Sequence, residues 1–443
     1  MKKVVSNWAL QSILLLTYKA LLDFLFLRVY YTVFSYMTGA AYMWNVDKFI
    51  ISNIVFAFFV LINFYVSNDS ERIQNVIIVM LMVICIVPML SVYGFVNYVS
   101  VEAILYPSIF WGIMILVIGK SNINIHKSSR YRIVAIKQAS IGTLGLCSLG
   151  GLICWAWAGF PILVSLSDST AQRLALRASR MPSLLGYVFM LLGGVLFPYL
   201  FARFLDAKKY LYAVISLIVG FLLYSINGMK TWLFMYIFVI ALYGLCYWQK
   251  DNIRKICISI IVVLCFLLLF CVVAYWKLGI ADFLSQFGRV FCIPNGIGFR
   301  SISFFSDSSH PYLYLRESIL RHFFETPYPG GSDFYLDYGA NSTITSARSN
   351  NGLWGDAFRN FGIFGVIIYP FFISRILILV NRTINTKNVR FQIFVVFLMI
   401  WNSVNVSFFT WLLTGGVIVV LIVNGFFINE DKIVRKNTIN KSN

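Results

Sequence analysis

Charged residues are scarce in this chain. They make up 12% of its 443 residues, whereas apolar residues make up 60%, and the mean hydropathy is +0.80. A soluble domain carries about a quarter charged residues. The low charge therefore excludes an ordinary soluble enzyme, and it favours a chain that lies largely within a lipid bilayer.

Residues and motifs that bind metals or nucleotides are also rare. The sequence holds 3 His, and neither His310 nor His322 has the H-x-x-x-H or H-E-x-x-H spacing of a metal site. All the cysteines except Cys292 lie in apolar runs, so neither a disulfide framework nor zinc-ligand spacing is present. No phosphate-binding loop, dinucleotide fingerprint or nucleophile elbow occurs. We therefore expect no cofactor.

Long apolar runs are abundant, and each is long enough to cross a bilayer. They predict an all-α polytopic membrane protein of about twelve transmembrane helices, with one transmembrane domain over 1–443. The first run carries Lys19, Asp23 and Arg28 and lacks a small-residue cleavage site, which predicts an uncleaved first helix. The last two runs are short, and the polar stretch 402–407 between them allows two helices or one long kinked helix.

Basic residues outnumber acidic ones by 36 to 17, yet their positions argue against nucleic-acid binding. Most lie in short segments between apolar runs, which is the positive-inside pattern of a membrane protein. Both termini are then cytoplasmic. The basic segments on the cytoplasmic side are 120–137, 203–209, 250–255, 382–390 and 432–441.

Outer segments favour Arg over Lys, unlike the cytoplasmic ones. A guanidinium presents a planar fork that matches phosphate or carboxylate oxygens, so this bias indicates an anionic ligand on the outer side. Chance variation in a small sample is the alternative.

The first large outer loop spans 158–183 and carries Arg173, Arg177 and Arg180. Their spacings of four and three place the three side chains on one face if the segment is helical. One interpretation is an anion-binding cradle at the membrane surface. The other is an interfacial helix whose arginines reach lipid phosphates.

The second large outer loop spans 277–354, which is too long for a simple connection, and its dense aromatics argue against disorder. Aromatic faces combined with hydrogen-bonding side chains suit sugars. The alternative is a folded cap that only covers the helices. The candidate ligand-binding residues in this loop are Arg289, Arg316, Arg321, His322, Glu325 and Arg348.

Lys230 lies in the predicted tight outer turn 227–231 between two helices. It either directs a cation into a central cavity or extends to the membrane surface, and the sequence does not separate these alternatives.

The segment 350–365, which reads NNGLWGDAFRNFGIFG, closes the large loop and opens the next helix. It resembles the signature of Wzy-type O-antigen polymerases. The turn 227–231 resembles that family's Gly-x-(Arg/Lys)-(Ser/Thr) junction, and the arginine loop resembles its first periplasmic loop. The related ligases place a His near the end of the large loop, whereas 348–351 reads Arg-Ser-Asn-Asn here.

The resemblance implies transfer of a growing O-antigen chain from undecaprenyl pyrophosphate to a single lipid-linked repeat unit. This reaction occurs at the periplasmic face of the Gram-negative inner membrane and needs no metal or nucleotide sugar. The implied partners are the lipid-linked oligosaccharide, membrane lipid, a chain-length regulator, a flippase and a ligase, and no nucleic acid.

Within that reaction, fixed cations stabilise the departing pyrophosphate, and a general base activates the attacking hydroxyl. We assign the base to Asp356, with Glu325 and His322 as weaker candidates. The alternative for Asp356 is an acid favoured by the helix macrodipole. The cations expected to contact pyrophosphate are Arg173, Arg177, Arg180, Lys230 and Arg289.

Two other functions compete with polymerisation. One is a lipid-linked oligosaccharide flippase or another transporter, which usually lacks a long outer loop and often has two similar halves. We find no repeat in the sequence. The other is the O-antigen ligase.

Overall fold

The structure is a computed structural model that describes 2–27, 44–66, 72–121, 132–161, 172, 176, 181–279, 288, 290–318, 320, 323–328, 332, 352–384 and 389–424. Helices dominate these ranges, and no β-strand occurs in them. The predicted all-α class is therefore confirmed for this part of the chain.

The main helices are named in chain order. They are α1 (Lys2–Leu25), α2 (Val46–Val66), α3 (Ile73–Leu81), α4 (Val87–Tyr93), α5 (Leu105–Gly119), α6 (Arg132–Trp157), α7 (Ser183–Leu191), α8 (Phe197–Asp206), α9 (Tyr210–Asn227), α10 (Lys230–Trp248), α11 (Ile253–Leu278), α12 (Ile293–Phe305), α13 (Gly352–Thr383), α14 (Val389–Asn405) and α15 (Phe408–Leu412).

Nine helical stretches in the described ranges are long and apolar enough to cross a membrane. Three shorter apolar helices also fall on predicted runs: Ile141–Trp157, Val389–Asn405 and Phe408–Asn424. The chain therefore has the helices of a polytopic membrane protein. The count of about twelve spans and the orientation stay predictions, because length and composition alone fix neither.

Two of the long stretches contain a wide π-helical turn, centred on Ile84 in one and on Gly194 in the other. Pro88 and Pro198 explain both turns. A proline has no N–H to bond the carbonyl four residues earlier, and its ring clashes with that carbonyl. These carbonyls belong to Ile84 and Gly194, so each wide turn lies where the proline disturbs the helix.

The chain forms two compact units. The first contains Met1–Ile123, Asn252–Ile378 and Ile400–Phe409. Within it, the stretch Ile73–Tyr93 is completely buried, and α1, α2, α11 and α12 pack around it. This central position is why it is apolar on every face, as a helix surrounded by others must be.

The second unit contains Asn124–Asp251, Leu379–Met399 and Thr410–Asn443. Here α8 packs on α9 and α10, and α6 packs on α9. Arg390 and Asp251 form a two-point ion pair, with N–O distances of 2.8 and 2.9 Å.

The chain breaks between α14 and α15, at the polar stretch that suggested either two helices or one. Trp411 Nε1 donates to the Met399 carbonyl at 2.9 Å. In a continuous helix these two residues would lie about 18 Å apart along the axis. The chain therefore turns back between them, and two separate helices are present.

Two lysines are buried in the first unit, and both are satisfied there. Lys19 pairs with Asp23 at 2.7 Å. Lys48 donates to the carbonyls of Val96 and Val99 at 2.6 and 2.7 Å. Buried charge costs several kcal/mol unless it is paired, so these contacts explain how both lysines are tolerated.

Candidate functional site at the start of α13

The structure describes four of the predicted site residues, namely Lys230, Arg316, Glu325 and Asp356. The others lie outside the described residues, so their placement in a site stays a prediction. These are Arg173, Arg177, Arg180, Arg289, Arg321, His322 and Arg348.

The start of α13 is anchored to α12. Trp354 Nε1 donates to Asn295 Oδ1 at 3.1 Å, and the indole packs edge-on against Phe299 at a centroid distance of 5.2 Å. Asn295 is held in turn, because its amide donates to the Phe291 carbonyl at 2.7 Å. A buried, fully bonded tryptophan fixes the first turn of the helix.

Asp356 follows Trp354 by two residues and is only 2% exposed. Its Oδ1 accepts from Arg359 Nε and Nη2, both at 3.0 Å, and from Asn360 Nδ2 at 3.1 Å. Its Oδ2 accepts from the backbone N–H of Phe408 at 2.9 Å. The carboxylate therefore joins α13 to the start of α15.

These contacts bear on the role predicted for Asp356. A general base must direct an accepting oxygen at the substrate proton, and here both oxygens are buried and already accept hydrogen bonds. Asp356 also lies beyond the first turn of α13, where the macrodipole has little effect. The geometry favours an organising role for Asp356, and its assignment as the base remains a prediction without support from these contacts.

The preceding loop docks on α13 where the helix is broken at Gly362. Gly362 has φ 58° and ψ −138°, a conformation open essentially to glycine alone. The break leaves the carbonyls of Arg359 and Asn360 without helical partners. They accept instead from the backbone N–H groups of Leu313 and Tyr314, at 3.0 and 3.2 Å.

Two side chains complete this docking. Asn360 Oδ1 accepts from the Leu315 N–H at 2.9 Å. A Cβ at Gly362 would lie 2.7 Å from the hydroxyl oxygen of Tyr312, so glycine also makes room for that ring. The signature residues Asn360 and Gly362 therefore hold the loop against the helix, and Asp356 orients Asn360.

Glu317 organises the described part of the loop, although no sequence pattern singled it out. Its Oε1 accepts from Thr326 Oγ1 at 2.8 Å and from the Ser332 N–H at 2.6 Å. Its Oε2 accepts from the Ser332 hydroxyl. The partners lie far along the chain from Glu317, so no short spacing could predict the cluster.

Tyr328 joins the end of the same segment to its beginning. Its hydroxyl donates to the Pro311 carbonyl at 2.7 Å, and its ring contacts Phe304 and Phe305. Burial raises the pKa of Tyr328 to about 12, and the negative charge of Glu317 acts in the same direction. The segment is therefore folded around an aromatic core of its own.

Other aromatic side chains of this segment face outward. Tyr314, Phe323 and Phe324 are 50%, 78% and 55% exposed. Arg316 is half-buried nearby in sequence, and its guanidinium has no ion pair or hydrogen bond with the described residues, while Glu325 is exposed. Exposed aromatics can bind a sugar ring, and a guanidinium can bind an anionic group.

Lys230 is the first residue of α10, in the second unit. The tight turn before it is confirmed, since Gly228 is left-handed with φ 63° and Asn227 Oδ1 accepts from the Met229 N–H at 2.8 Å. The half-buried ammonium of Lys230 has no partner among the described residues. Within that part of the chain, it is available to an anion.

Comparisons of this chain with family models, curated proteins and solved structures gave no match.

Proposed function

We propose that this chain is an O-antigen polymerase, a glycosyltransferase at the periplasmic face of the Gram-negative inner membrane. It transfers a growing glycan from undecaprenyl pyrophosphate to a lipid-linked repeat unit. The order of its features along the chain supports the proposal: apolar spans, an arginine loop, a lysine turn, a long aromatic loop, and a helix start with the sequence GLWGDAFRN.

One observation carries the proposal: the described part of the large loop is folded and docked on the break in α13. Backbone N–H groups of Leu313, Tyr314 and Leu315 bond to residues 359–360. A connection between two helices needs no such construction, whereas a binding platform must be held rigidly to position its substrate. Exposed aromatics on this platform suit the apolar faces of sugars.

The proposed reaction breaks the glycosidic C–O bond to pyrophosphate and forms a new C–O bond with an acceptor hydroxyl. The leaving pyrophosphate gains negative charge, and fixed cations stabilise it. The candidates for this role are Lys230, Arg289 and the arginines of the loop 158–183, namely Arg173, Arg177 and Arg180. The hydroxyl proton passes to a general base. The candidates are Glu325, which is exposed, and His322, which lies outside the described residues, while Asp356 is a positioning residue.

The test is a lipopolysaccharide gel from a deletion strain that carries each variant. Loss of a polymerase leaves core plus one repeat unit, whereas loss of a flippase or ligase leaves bare core. Arg177→Ala and Arg316→Gln should reduce the ladder to one repeat while the protein still inserts in the membrane. Lys208→Gln, which changes an exposed lysine on the predicted cytoplasmic side, should leave the ladder intact.

A transporter of lipid-linked oligosaccharides is the second candidate, and the two proline-linked π turns favour it. Each unit contains one such stretch, Ile73–Tyr93 or Ser183–Asp206. With the predicted alternation of spans, these two stretches cross the membrane in opposite directions, as in the inverted repeats of many transporters. Bare core in the deletion strain would favour this candidate over the polymerase.

A further inference from the structure

A groove between α5 and α13 lies far from the docked loop. It is an open groove with a volume of about 350 Å³, within the range of small-ligand sites. Arg375 lines it and follows the break at Gly362 by 13 residues, or about 20 Å along the later part of α13. Lys120, which also lines the groove, opens the predicted cytoplasmic segment 120–137, so we expect the groove to lie at the membrane surface on that side.

The lining of the groove combines apolar walls with two cations. Lys120 and Arg375 are exposed, and neither side chain has an ion pair or hydrogen bond with the described residues. The apolar part of the lining consists of Ile113, Leu116, Val117 and Phe371. Two cations at the end of an apolar groove complement a lipid with an anionic head group and an acyl chain.

The backbone at Lys120 is held in place before any ligand binds. The N–H of Lys120 bonds to the Leu116 carbonyl at 3.1 Å, and Ser121 Oγ donates to the Ile118 carbonyl at 2.6 Å. The amide of Gln74 donates to the Ser121 carbonyl at 2.5 Å. A fixed backbone lowers the entropy lost when a ligand is bound.

We propose that this groove binds one anionic phospholipid of the surrounding membrane. The guanidinium of Arg375 and the ammonium of Lys120 contact the lipid phosphate, and the first part of an acyl chain lies along Val117 and Phe371. A zwitterionic lipid carries no net charge and gains less from two cations. The site goes beyond the polymerase proposal and does not depend on it.

The test is a titration of the detergent-purified full chain with phosphatidylglycerol, followed by native mass spectrometry. The wild type should retain one lipid in preference to phosphatidylcholine. The double variant Lys120→Gln/Arg375→Gln should bind phosphatidylglycerol about thirtyfold more weakly, as expected for two cations at a membrane surface. The control Lys208→Gln/Lys255→Gln removes the same charge from exposed positions outside the groove and should bind like the wild type.

A second variant and a second ligand test the apolar part. Val117→Phe fills the groove while both cations remain, and it should also weaken phosphatidylglycerol binding. Glycerol phosphate, which has the anionic group without acyl chains, should not compete at equal concentration. The proposal is overturned if both double variants bind alike, if phosphatidylcholine binds equally well, if Val117→Phe binds normally, or if glycerol phosphate competes fully.

Discussion

Two loop–helix junctions differ in how their charged side chains are used. At the start of α13, the carboxylate of Asp356 accepts hydrogen bonds from Arg359, Asn360 and Phe408. At the start of α10, the ammonium of Lys230 has no partner among the described residues. Both junctions carry residues that the resemblance marked as functional, yet only Lys230 has a charge that the described residues leave without a partner.

This difference separates residues that build the site from residues that can bind in it. A cation at a helix N-terminus is disfavoured by about 0.3–1 kcal/mol, and no contact within the described residues offsets that cost at Lys230. A charged residue that opposes a local structural preference, with no contact to offset the cost, is a candidate for function. The cost of burying the Asp356 carboxylate is offset by the hydrogen bonds that it accepts. This is typical of a residue that organises a site.

Replacement of Asp356 by alanine should have the largest effect on stability. It removes the carboxylate that pairs with the buried Arg359, and breaking a buried ion pair from one side costs about 3–5 kcal/mol. Denaturant unfolding of the purified protein in detergent measures the loss. Glu325→Gln, at an exposed acid in the same unit, should change stability by less than about 0.5 kcal/mol.

If Asp356→Ala unfolds like the wild type but does not polymerise, the carboxylate is not an organising residue. Asp356 would then again be assigned as the general base.

Gly362→Ala should have the next largest effect on stability. This variant tests how the loop docks on α13. The native φ of 58° and the nearby Tyr312 hydroxyl both oppose a Cβ, and such strain costs about 1–3 kcal/mol. The control is Gly112→Ala, within α5, where a Cβ meets nothing within 4 Å. It should be neutral or slightly stabilising. Equal losses in unfolding free energy at both positions would contradict the docking argument.

Much of the fold was predictable from the sequence because hydrophobic run length is a local property. The apolar runs fall on helices, and the tight turn before Lys230 follows from the Asn-Gly pair at 227–228. The break at Gly362 was not predicted, because a glycine within an apolar run is equally compatible with an unbroken helix.

The partners in the site were less predictable, because they are distant in sequence. Asp356 reaches Phe408, and Glu317 reaches Thr326 and Ser332. Nothing in the sequence around Asp356 shows that its oxygens are occupied. A signature identifies which residues matter, but only the fold separates a binding residue from one that holds the loop.

Tyr328→Phe should have a smaller effect, confined to the loop. It removes the hydrogen bond to the Pro311 carbonyl, which contributes about 1 kcal/mol. Because the folded-state pKa is raised to about 12, above the usual value near 10, the stabilisation is fully present below about pH 10. It is lost as pH rises towards 12. The difference in tyrosinate absorbance between the wild type and Tyr328→Phe should show one group that titrates near pH 12.

Lys230→Gln should have the smallest effect on stability and still abolish most of the function. No described contact is lost, and an unfavourable charge at the start of α10 is removed, so the unfolding free energy should change by less than about 0.5 kcal/mol. Polymerisation of lipid-linked repeat units by the purified protein should fall at least about tenfold, because a cation that stabilises the leaving group is gone. Lys230→Arg keeps the charge and should retain more activity than Lys230→Gln, whereas Lys208→Gln should match the wild type. A stable Lys230→Gln variant with full activity would contradict this prediction. It would show that a charge without a partner among the described residues does not identify a binding residue, and that the difference between the starts of α10 and α13 has no functional meaning.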